Sequence, residues 1–451
     1  MQHSDSLYFL SIDNTLGGMP DCVPNEITPH IIRGYADAPD APPPFVWLYP
    51  LDEYDALGKG GKRLEKMYFE DWYVRSEVNH GLPLSGVVSS ANFLSSLAKK
   101  PALYSGSVLV ATVPAAGSPC EEELCAHVES GGQVMLYGAL APAGKRLLSL
   151  LGLSCGEPIW GECELHTDGL TLDPVDSPCS RMFLHDPLVS DGGLCAMMPG
   201  DRSVRTLARA QQGGQGRVIA ASRSLPSWQG GKVVWLRGTG SHIVDTHSNL
   251  PKSHDPRRYY PIESLARAAL REFGYGITFA RALPEQRVPA IMLHRCENAF
   301  FFSGYCPDTT VALSLRFPLG APLLLGYETF LRDGYSTYHL PRAWRHECRV
   351  FVSQQDSAEP LKCVEDTCCD SRYRRHLRVR GLNHATVYVF PYPGYEEKTK
   401  LICGVERYDA DRDGAPFEKE LVRTPWGFAW KCSDITGTLS YYTELRDDVL
   451  W

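Results

Sequence analysis

One segment near the C-terminus has the spacing of a calcium-binding loop. Asp409, Asp411, Asp413, Gly414 and Glu420 match the pattern D-x-D-x-D-G-x5-E residue for residue. In that pattern, oxygen ligands surround a hard cation and the glycine allows a sharp turn. The flanking sequences LICGVERY and LVRTPWGFAW are strand-like, whereas such loops usually lie between helices. We therefore expect a charged turn between two strands, with a calcium site as the alternative.

A second group of candidates surrounds the segment PLDEYD, which follows the apolar run FVWLYP. In open parallel sheets, ligands bind beyond the carboxyl ends of the strands. Asp52 and Glu53 are therefore candidate acid/base residues, because carboxyl pairs ~5–10 Å apart cleave glycosides. Asp55 is a candidate for binding sugar hydroxyls. The alternative is that these acids only precede a helix, whose N-terminus favours negative charge. Three aromatic residues are predicted to stack on a sugar ring: Trp47, Tyr49 and Trp72.

A row of basic residues follows the segment SRYRRHLRVRG. Strand alternation places one set of side chains on a single face: Arg372, Arg374, His376, Arg378 and Arg380. Such a face would bind carboxylates or sulfates through bidentate guanidinium contacts. The alternative, which we favour from the sequence, is a solvated edge strand whose charges prevent mispairing.

The composition is that of a globular protein and excludes some partners. The chain has 451 residues, of which 43% are hydrophobic and 22% charged, and a formal net charge of -8. This charge gives no basic footprint for nucleic acid. The sequence has neither a signal peptide nor a long apolar span, so we expect no membrane partner and a cytoplasmic location. Fifteen cysteines, an odd number, are scattered among predicted core elements, which is typical of reduced thiols.

The order of predicted elements indicates an α/β region followed by an all-β region. Residues 1–44 are rich in Pro, Gly and Asp and predict an extended lead-in. From 45 to 280, apolar runs alternate with helical segments, with a β-rich insertion at about 152–230. One helix is predicted to begin after Ser118, with Glu121 completing a capping box. From 285 to 451, short alternating segments predict a β-sandwich.

The α/β region resembles the class I glutamine-amidotransferase-like domain that follows the catalytic barrel in family 42 β-galactosidases. The resemblance lies in the segments FVWLYPLDEYD, FEDWYVRSEVNHGLPLSGVVSS, SVLVATVPAAG, HVESGGQVMLYG and GKVVWLRG. It implies an amidotransferase-like (flavodoxin-like) parallel sheet, a role mainly in trimerisation, and a β-sandwich after it. The catalytic barrel has no counterpart here, and the elbow segment YGALAPAG has no nucleophilic cysteine. The resemblance therefore implies a scaffold without an inherited reaction.

These observations predict a carbohydrate-associated protein. We expect the non-barrel assembly and sugar-binding portion of a glycoside-hydrolase-like, β-galactosidase-like protein, with a carbohydrate ligand and a homo-oligomeric state. The alternative is a stand-alone hydrolase whose site lies at Asp52 and Glu53, at the carboxyl edge of the parallel sheet. The sequence predicts no cofactor other than the calcium alternative.

Overall fold

The structure is a computed structural model that describes most of the chain. The described residues are 38–49, 81–172, 180–185, 192–237, 242–244, 251–253, 258–280, 288–306, 310–356, 359–367, 372–405 and 414–444, of which 242–244 and 251–253 are described by their backbone.

The described elements of the first part of the chain are strands interspersed with short helices. The helices are α1 (Ser90–Lys99), α2 (Pro119–Glu129), α3 (Lys145–Leu151) and α4 (Ser264–Ala269), with 3-10 turns at Pro226–Trp228 and Leu270–Phe273. The strands are β1 (Phe45–Tyr49), β2 (Gly86–Ser89), β3 (Val108–Thr112), β4 (Gln133–Tyr137), β5 (Cys155–Ile159), β6 (Gly161–His166), β7 (Met182–His185), β8 (Leu194–Ala196), β9 (Val204–Gln212), β10 (Gln215–Arg223), β11 (Lys232–Leu236), β12 (His242–Val244) and β13 (Pro251–Ser253).

Nine of these strands form one mixed sheet in the order β2-β1-β3-β4-β11-β10-β9-β6-β7. The first five strands are parallel to one another, as the sequence predicts. The remaining four all come from the region 152–230 and pair antiparallel, beginning with β10 against β11. The prediction of a parallel sheet is therefore correct for one half of the sheet, and the inserted strands extend that sheet on its other side.

Local sequence signals explain the central strand and the helix after it. Each residue of β3 is buried, as expected of an apolar, β-branched strand covered on both faces. The hydroxyl of Ser118 accepts a hydrogen bond from the amide of Glu121 at 3.1 Å and so begins α2. The predicted capping box is wrong in its second half. The Glu121 carboxylate instead accepts from the amides of Gly117 and Leu147, the latter in α3, and so joins the two helices.

The second part of the chain is built from antiparallel strands, which confirms its predicted all-β character. Its strands are β14 (Gly276–Ala280), β15 (Ala290–Cys296), β16 (Ala299–Tyr305), β17 (Val311–Arg316), β18 (Ala321–Leu323), β19 (Glu328–Arg332), β20 (Tyr335–Leu340), β21 (Ala343–Cys348), β22 (Val350–Ser353), β23 (Leu361–Asp366), β24 (Tyr373–Val389), β25 (Thr399–Cys403), β26 (Glu418–Thr424) and β27 (Gly427–Glu444). β15, β16 and β21 form a three-stranded sheet, and the others form an eleven-stranded sheet.

The two parts share a hydrophobic core. One cluster of buried residues contains side chains of β1 and β3 together with side chains of β15, β16 and β17. At its centre the ring of Phe300 contacts the rings of Phe317, Phe351 and Trp426 edge-on, with centroid distances of 6.3, 5.2 and 5.2 Å. This is a favourable geometry for aromatic pairs and fixes the small sheet against the large one. None of the described helices is long and apolar enough to cross a membrane.

Candidate functional site

A polar cleft of about 530 Å³ opens where the three-stranded sheet meets the large sheet. Its volume is within the usual range for small-molecule sites. Four arginines and three glutamates contribute to its lining: Arg345, Arg349, Arg374, Arg375, Glu297, Glu347 and Glu365. These arginines exceed the acids by one charge.

Glu347 is the centre of the charge network in the cleft. Its carboxylate accepts hydrogen bonds from the guanidinium groups of Arg349 and Arg375. The Arg375 guanidinium also donates one hydrogen bond to each carboxylate oxygen of Glu365, at 2.8 and 2.9 Å. The Arg349 side chain is only 2% exposed, and Glu347 is 14% exposed. These are shielded ion pairs with the planar, two-pronged geometry that arginine provides.

The network keeps Glu347 ionised. Burial by itself opposes ionisation, but the charges of Arg349 and Arg375 and their hydrogen bonds outweigh it and lower the pKa of Glu347 to about 2. Burial lowers the pKa of Arg375, but its hydrogen bonds to Glu347 and Glu365 outweigh this and raise it. A general acid needs a carboxyl group that is still protonated near neutral pH. Glu347 therefore binds arginines in this cleft and is unsuited to donating a proton.

Arg374 differs from Arg349 and Arg375 in that no described carboxylate pairs with it. Its side chain is exposed, and its guanidinium carbon lies 5.3 Å from the centre of the Tyr392 ring. Arg349 lies over the same ring at 3.7 Å, and the Tyr392 hydroxyl accepts a bond from Arg375 at 3.1 Å. Arg374 therefore presents an exposed positive charge to the cleft beside a ring that is held in place.

A register shift explains how two adjacent arginines reach one cleft. Neighbouring residues of a regular strand point to opposite faces. Between Tyr373 and Arg375, however, the pairing of β24 with β27 slips by one residue. Such a bulge turns a side chain toward a new direction and is frequent next to functional sites. It places both Arg374 and Arg375 in the cleft.

The predicted arginine face is therefore wrong in detail. β24 pairs with β22 and β23 on one side and with β27 on the other, so it is a central strand and no edge. His376 and Arg378 are buried, and Arg378 binds Asp366 at 3.1 Å. Of the predicted set, Arg374 lines the cleft. Arg375, which pairs with both Glu347 and Glu365, lies outside the predicted set, because nothing in the sequence marks the bulge.

The backbone beside the cleft is unusual. Glu297 and Asn298, which join β15 to β16, have positive φ angles of 47° and 66°. Two such residues are required at the centre of the tightest hairpin turns. The Arg349 guanidinium donates to the Glu297 backbone carbonyl at 2.9 Å. The side-chain amide of Asn298 donates to the Pro391 carbonyl at 3.0 Å. The turn is therefore held from both sides and forms a fixed wall of the cleft.

Only part of the predicted sheet-edge site falls on the described residues. Trp47 is 3% exposed, donates its ring N–H to the Pro83 carbonyl, and packs against the ring of Tyr137. It is a core residue here, with no free face for a sugar. Tyr49 is half-buried at the carboxyl end of β1. The other candidates lie outside the described residues and stay predictions: Asp52, Glu53, Asp55 and Trp72.

The segment that matches the calcium pattern follows β25 and runs into β26, so it connects two strands, as predicted from its flanks. Asp409, Asp411 and Asp413 lie outside the described residues. Both β25 and β26 pair with β27, and an antiparallel bridge between Cys403 and Ala415 closes the base of the connection. Glu420 lies in β26, where Lys431 binds its carboxylate at 2.8 Å.

The structure requires glycine at position 414 for a reason that is independent of any metal. A Cβ atom at this position would lie 2.1 Å from the Cys403 carbonyl oxygen, so only glycine fits there. Within the described part of the chain, no group of three or more His, Cys, Asp or Glu side chains is placed to hold a metal ion.

Comparisons with known proteins give distant similarities. No family model and no curated protein matches the chain. Among solved structures it is similar to a catalytic mutant of Gan42B, a GH42 beta-galactosidase from G. stearothermophilus, with 8% identity and a TM-score of 0.40 over 70% of this chain and 42% of that chain.

Two further structures are similar at the same level. The cold-adapted beta-galactosidase from Rahnella sp. R3 has 11% identity and a TM-score of 0.37, over 72% of this chain and 44% of that chain. The exo-beta-1,4-mannosidase Op5Man5 from Opitutaceae bacterium strain TAV5 has 13% identity and a TM-score of 0.31, over 47% and 33%. The chain spans less than half the length of each of these three proteins. Similarity at these TM-scores carries no argument about activity.

Proposed function

We propose that this chain is a carbohydrate-associated binding protein whose cleft takes an acidic sugar, one that bears a carboxylate or a sulfate group. In this proposal it is the sugar-binding and assembly portion of a glycoside-hydrolase-like, β-galactosidase-like protein. We assign the amidotransferase-like domain to residues 45–280 and the β-sandwich domain to residues 285–451. β14, at the end of the first range, pairs with β17 of the second. Its assembly role predicts a homo-oligomer, which sedimentation of the isolated chain would detect.

One observation carries the choice of ligand. The guanidinium of Arg374 faces the cleft without a carboxylate partner among the described residues, beside Arg349 and Arg375, which are held by Glu347. An incoming carboxylate or sulfate would complete a charge-assisted pair there. The polar lining and the volume of the cleft suit a hydroxyl-rich ligand of one or two rings.

The same chemistry argues for binding over cleavage at this cleft. Glycoside cleavage needs one carboxyl group with a raised pKa and a second carboxylate. Glu347 has a lowered pKa, and both carboxylate oxygens of Glu365 accept hydrogen bonds from Arg375. Neither of these two residues is suited to act as the general acid.

The experiment is calorimetric titration of the chain with a glucuronic-acid disaccharide, a sulfated galactose, and neutral galactose. The acidic sugars should bind and the neutral sugar should bind at least about tenfold more weakly, since a charged hydrogen bond contributes roughly 1.5–3 kcal/mol. Arg374→Ala should lower the affinity for the acidic sugars by a similar factor. Arg380→Ala is the matched control, because Arg380 is exposed on the same strand but does not line the cleft. Equal binding by wild type and Arg374→Ala would refute the assignment.

A second candidate function is that of a stand-alone hydrolase, and the position of β1 supports it. This strand lies between β2 and β3 and is parallel to both, so the segment PLDEYD follows a carboxyl end inside the parallel half of the sheet. Hydrolysis of aryl-glycosides by the isolated chain, abolished by Glu53→Gln, would establish this function in place of the binding one.

A further inference from the structure

Two cysteines lie side by side far from the cleft. The Sγ atoms of Cys155 and Cys195 are 3.1 Å apart. They belong to the two-stranded antiparallel sheet of β5 and β8, in which Cys155 is directly opposite Ala196. Among the described cysteines, Cys155 alone is exposed, whereas Cys195 is 8% exposed. A disulfide has an S–S distance near 2.05 Å, so closing the pair requires an approach of about 1 Å.

The backbone on both strands is held at this point. The amide of Met197, next to β8, donates to the carbonyl of Ser154, next to β5, at 2.9 Å. Arg237 donates to the carbonyl of Gly192 at 2.8 Å and so fixes the chain that enters β8. The two sulfur atoms therefore stay close because of the strand pairing, and a small side-chain rotation brings them into bonding distance.

We propose that Cys155 and Cys195 are an oxidisable dithiol site, which closes to a disulfide between β5 and β8 when a small-molecule disulfide acts as the oxidant. The Cys155 thiolate attacks one sulfur of the oxidant and displaces its other half as a thiolate. The Cys195 thiolate then attacks the Sγ of Cys155 in this mixed disulfide and displaces the second half. Two cysteine thiols are oxidised to one disulfide, and the oxidant is reduced to two thiols that take up the two cysteine protons.

The order of attack follows from exposure, because Cys155 is the cysteine that an oxidant in solution can reach. The groups that act on it are Cys195 from β8 and Arg237 after β11. Although the residue is exposed, partial desolvation of its thiol by the surrounding chain, together with the hydrogen bond from Cys195, raises the pKa of Cys155, and the positive charge of Arg237 opposes this. The thiolate is therefore scarce at neutral pH, and the rate of closure increases with pH in proportion to the thiolate fraction.

The test uses the full chain, first reduced and then incubated with oxidised glutathione at pH 7 and pH 9. Peptide mapping without reduction should yield a cross-linked peptide pair that contains Cys155 and Cys195, with a mass lower by two hydrogen atoms, and faster formation at pH 9. The peptide that contains Cys163, a fully buried cysteine, is the internal control and should keep its free thiol. The oxidised protein should melt at a higher temperature than the reduced one, since the cross-link restricts the unfolded chain.

Two variants separate the proposal from simple surface oxidation. Cys155→Ser replaces an exposed side chain and should abolish both the cross-link and the increase in melting temperature. Cys195→Ser removes the second attack, so glutathione should accumulate on Cys155 as a stable adduct. A stable glutathione adduct on Cys155 in the unsubstituted chain, or a cross-link from Cys155 to any other cysteine, would overturn the proposal.

Discussion

Replacing Glu347 by glutamine tests whether the cleft is held together by a shielded carboxylate. The substitution keeps the shape of the side chain but leaves Arg349, which is 2% exposed at its side chain, without its negative partner. Arg375 keeps Glu365. Removing one member of a buried ion pair typically costs about 3–5 kcal/mol, because the remaining charge is left uncompensated.

The pKa of Glu347 gives a second estimate of how much its ionised carboxylate contributes to stability. It falls from 4.5 to about 2 on folding. At 1.36 kcal/mol for each pKa unit, the ionised carboxylate contributes about 3 kcal/mol to the free energy of unfolding. Because the folded pKa is lowered, this stability is present in full above pH about 4.5 and is lost as the pH falls toward about 2.

Native-state hydrogen exchange measures the loss of stability in the strands next to the cleft. We expect the amides of β22 and β24 to exchange roughly a hundredfold faster in Glu347→Gln at neutral pH, which corresponds to about 3 kcal/mol in local opening free energy. The difference from the unsubstituted chain should shrink as the pH is lowered through the range from 4.5 to about 2.

The matched control is Glu328→Gln, which removes an exposed ion pair of the large sheet, the sheet that contains β22 and β24. Glu328 is 57% exposed and lies 3.4 Å from Lys362, so its loss should cost less than about 1 kcal/mol. If the two variants exchange at the same rate, or if the effect of Glu347→Gln does not change with pH, Glu347 is not the shielded anion described above.

Two further predictions concern stability and metal binding. A Cβ at Gly231 would lie 1.8 Å from the Val128 carbonyl oxygen, so Gly231→Ala should destabilise the chain by about 1–3 kcal/mol in thermal melts, whereas Gly200→Ala, in open space, should stay within about 0.5 kcal/mol. Calcium should leave the melting temperature unchanged, because Glu420, the one described carboxylate at a ligand position of the calcium pattern, is bound by a lysine. An increase that disappears in Asp411→Ala would show a site.

The elements that the sequence predicts well are those whose signals are local. β1 and β3 are short apolar runs, and α2 begins at a serine followed by a proline. The residues that mark each of these elements lie within one turn or one strand, although the strands pair with distant segments. The antiparallel order of β10, β9, β6 and β7 depends on pairing between distant segments, which composition and periodicity do not encode.

The arginines of β24 show where such reasoning fails and why the failure lies at the cleft. Strict alternation predicts Arg374 and Arg378 on one exposed face. The long pairing of β24 with β27 instead contains several register shifts, and each shift exchanges the faces of the residues that follow. Arg378 becomes buried against Asp366, and Arg375 turns toward Glu347. A regular strand could not deliver two adjacent guanidinium groups to one cavity, so the irregularity that defeats the sequence pattern is also what assembles the candidate site.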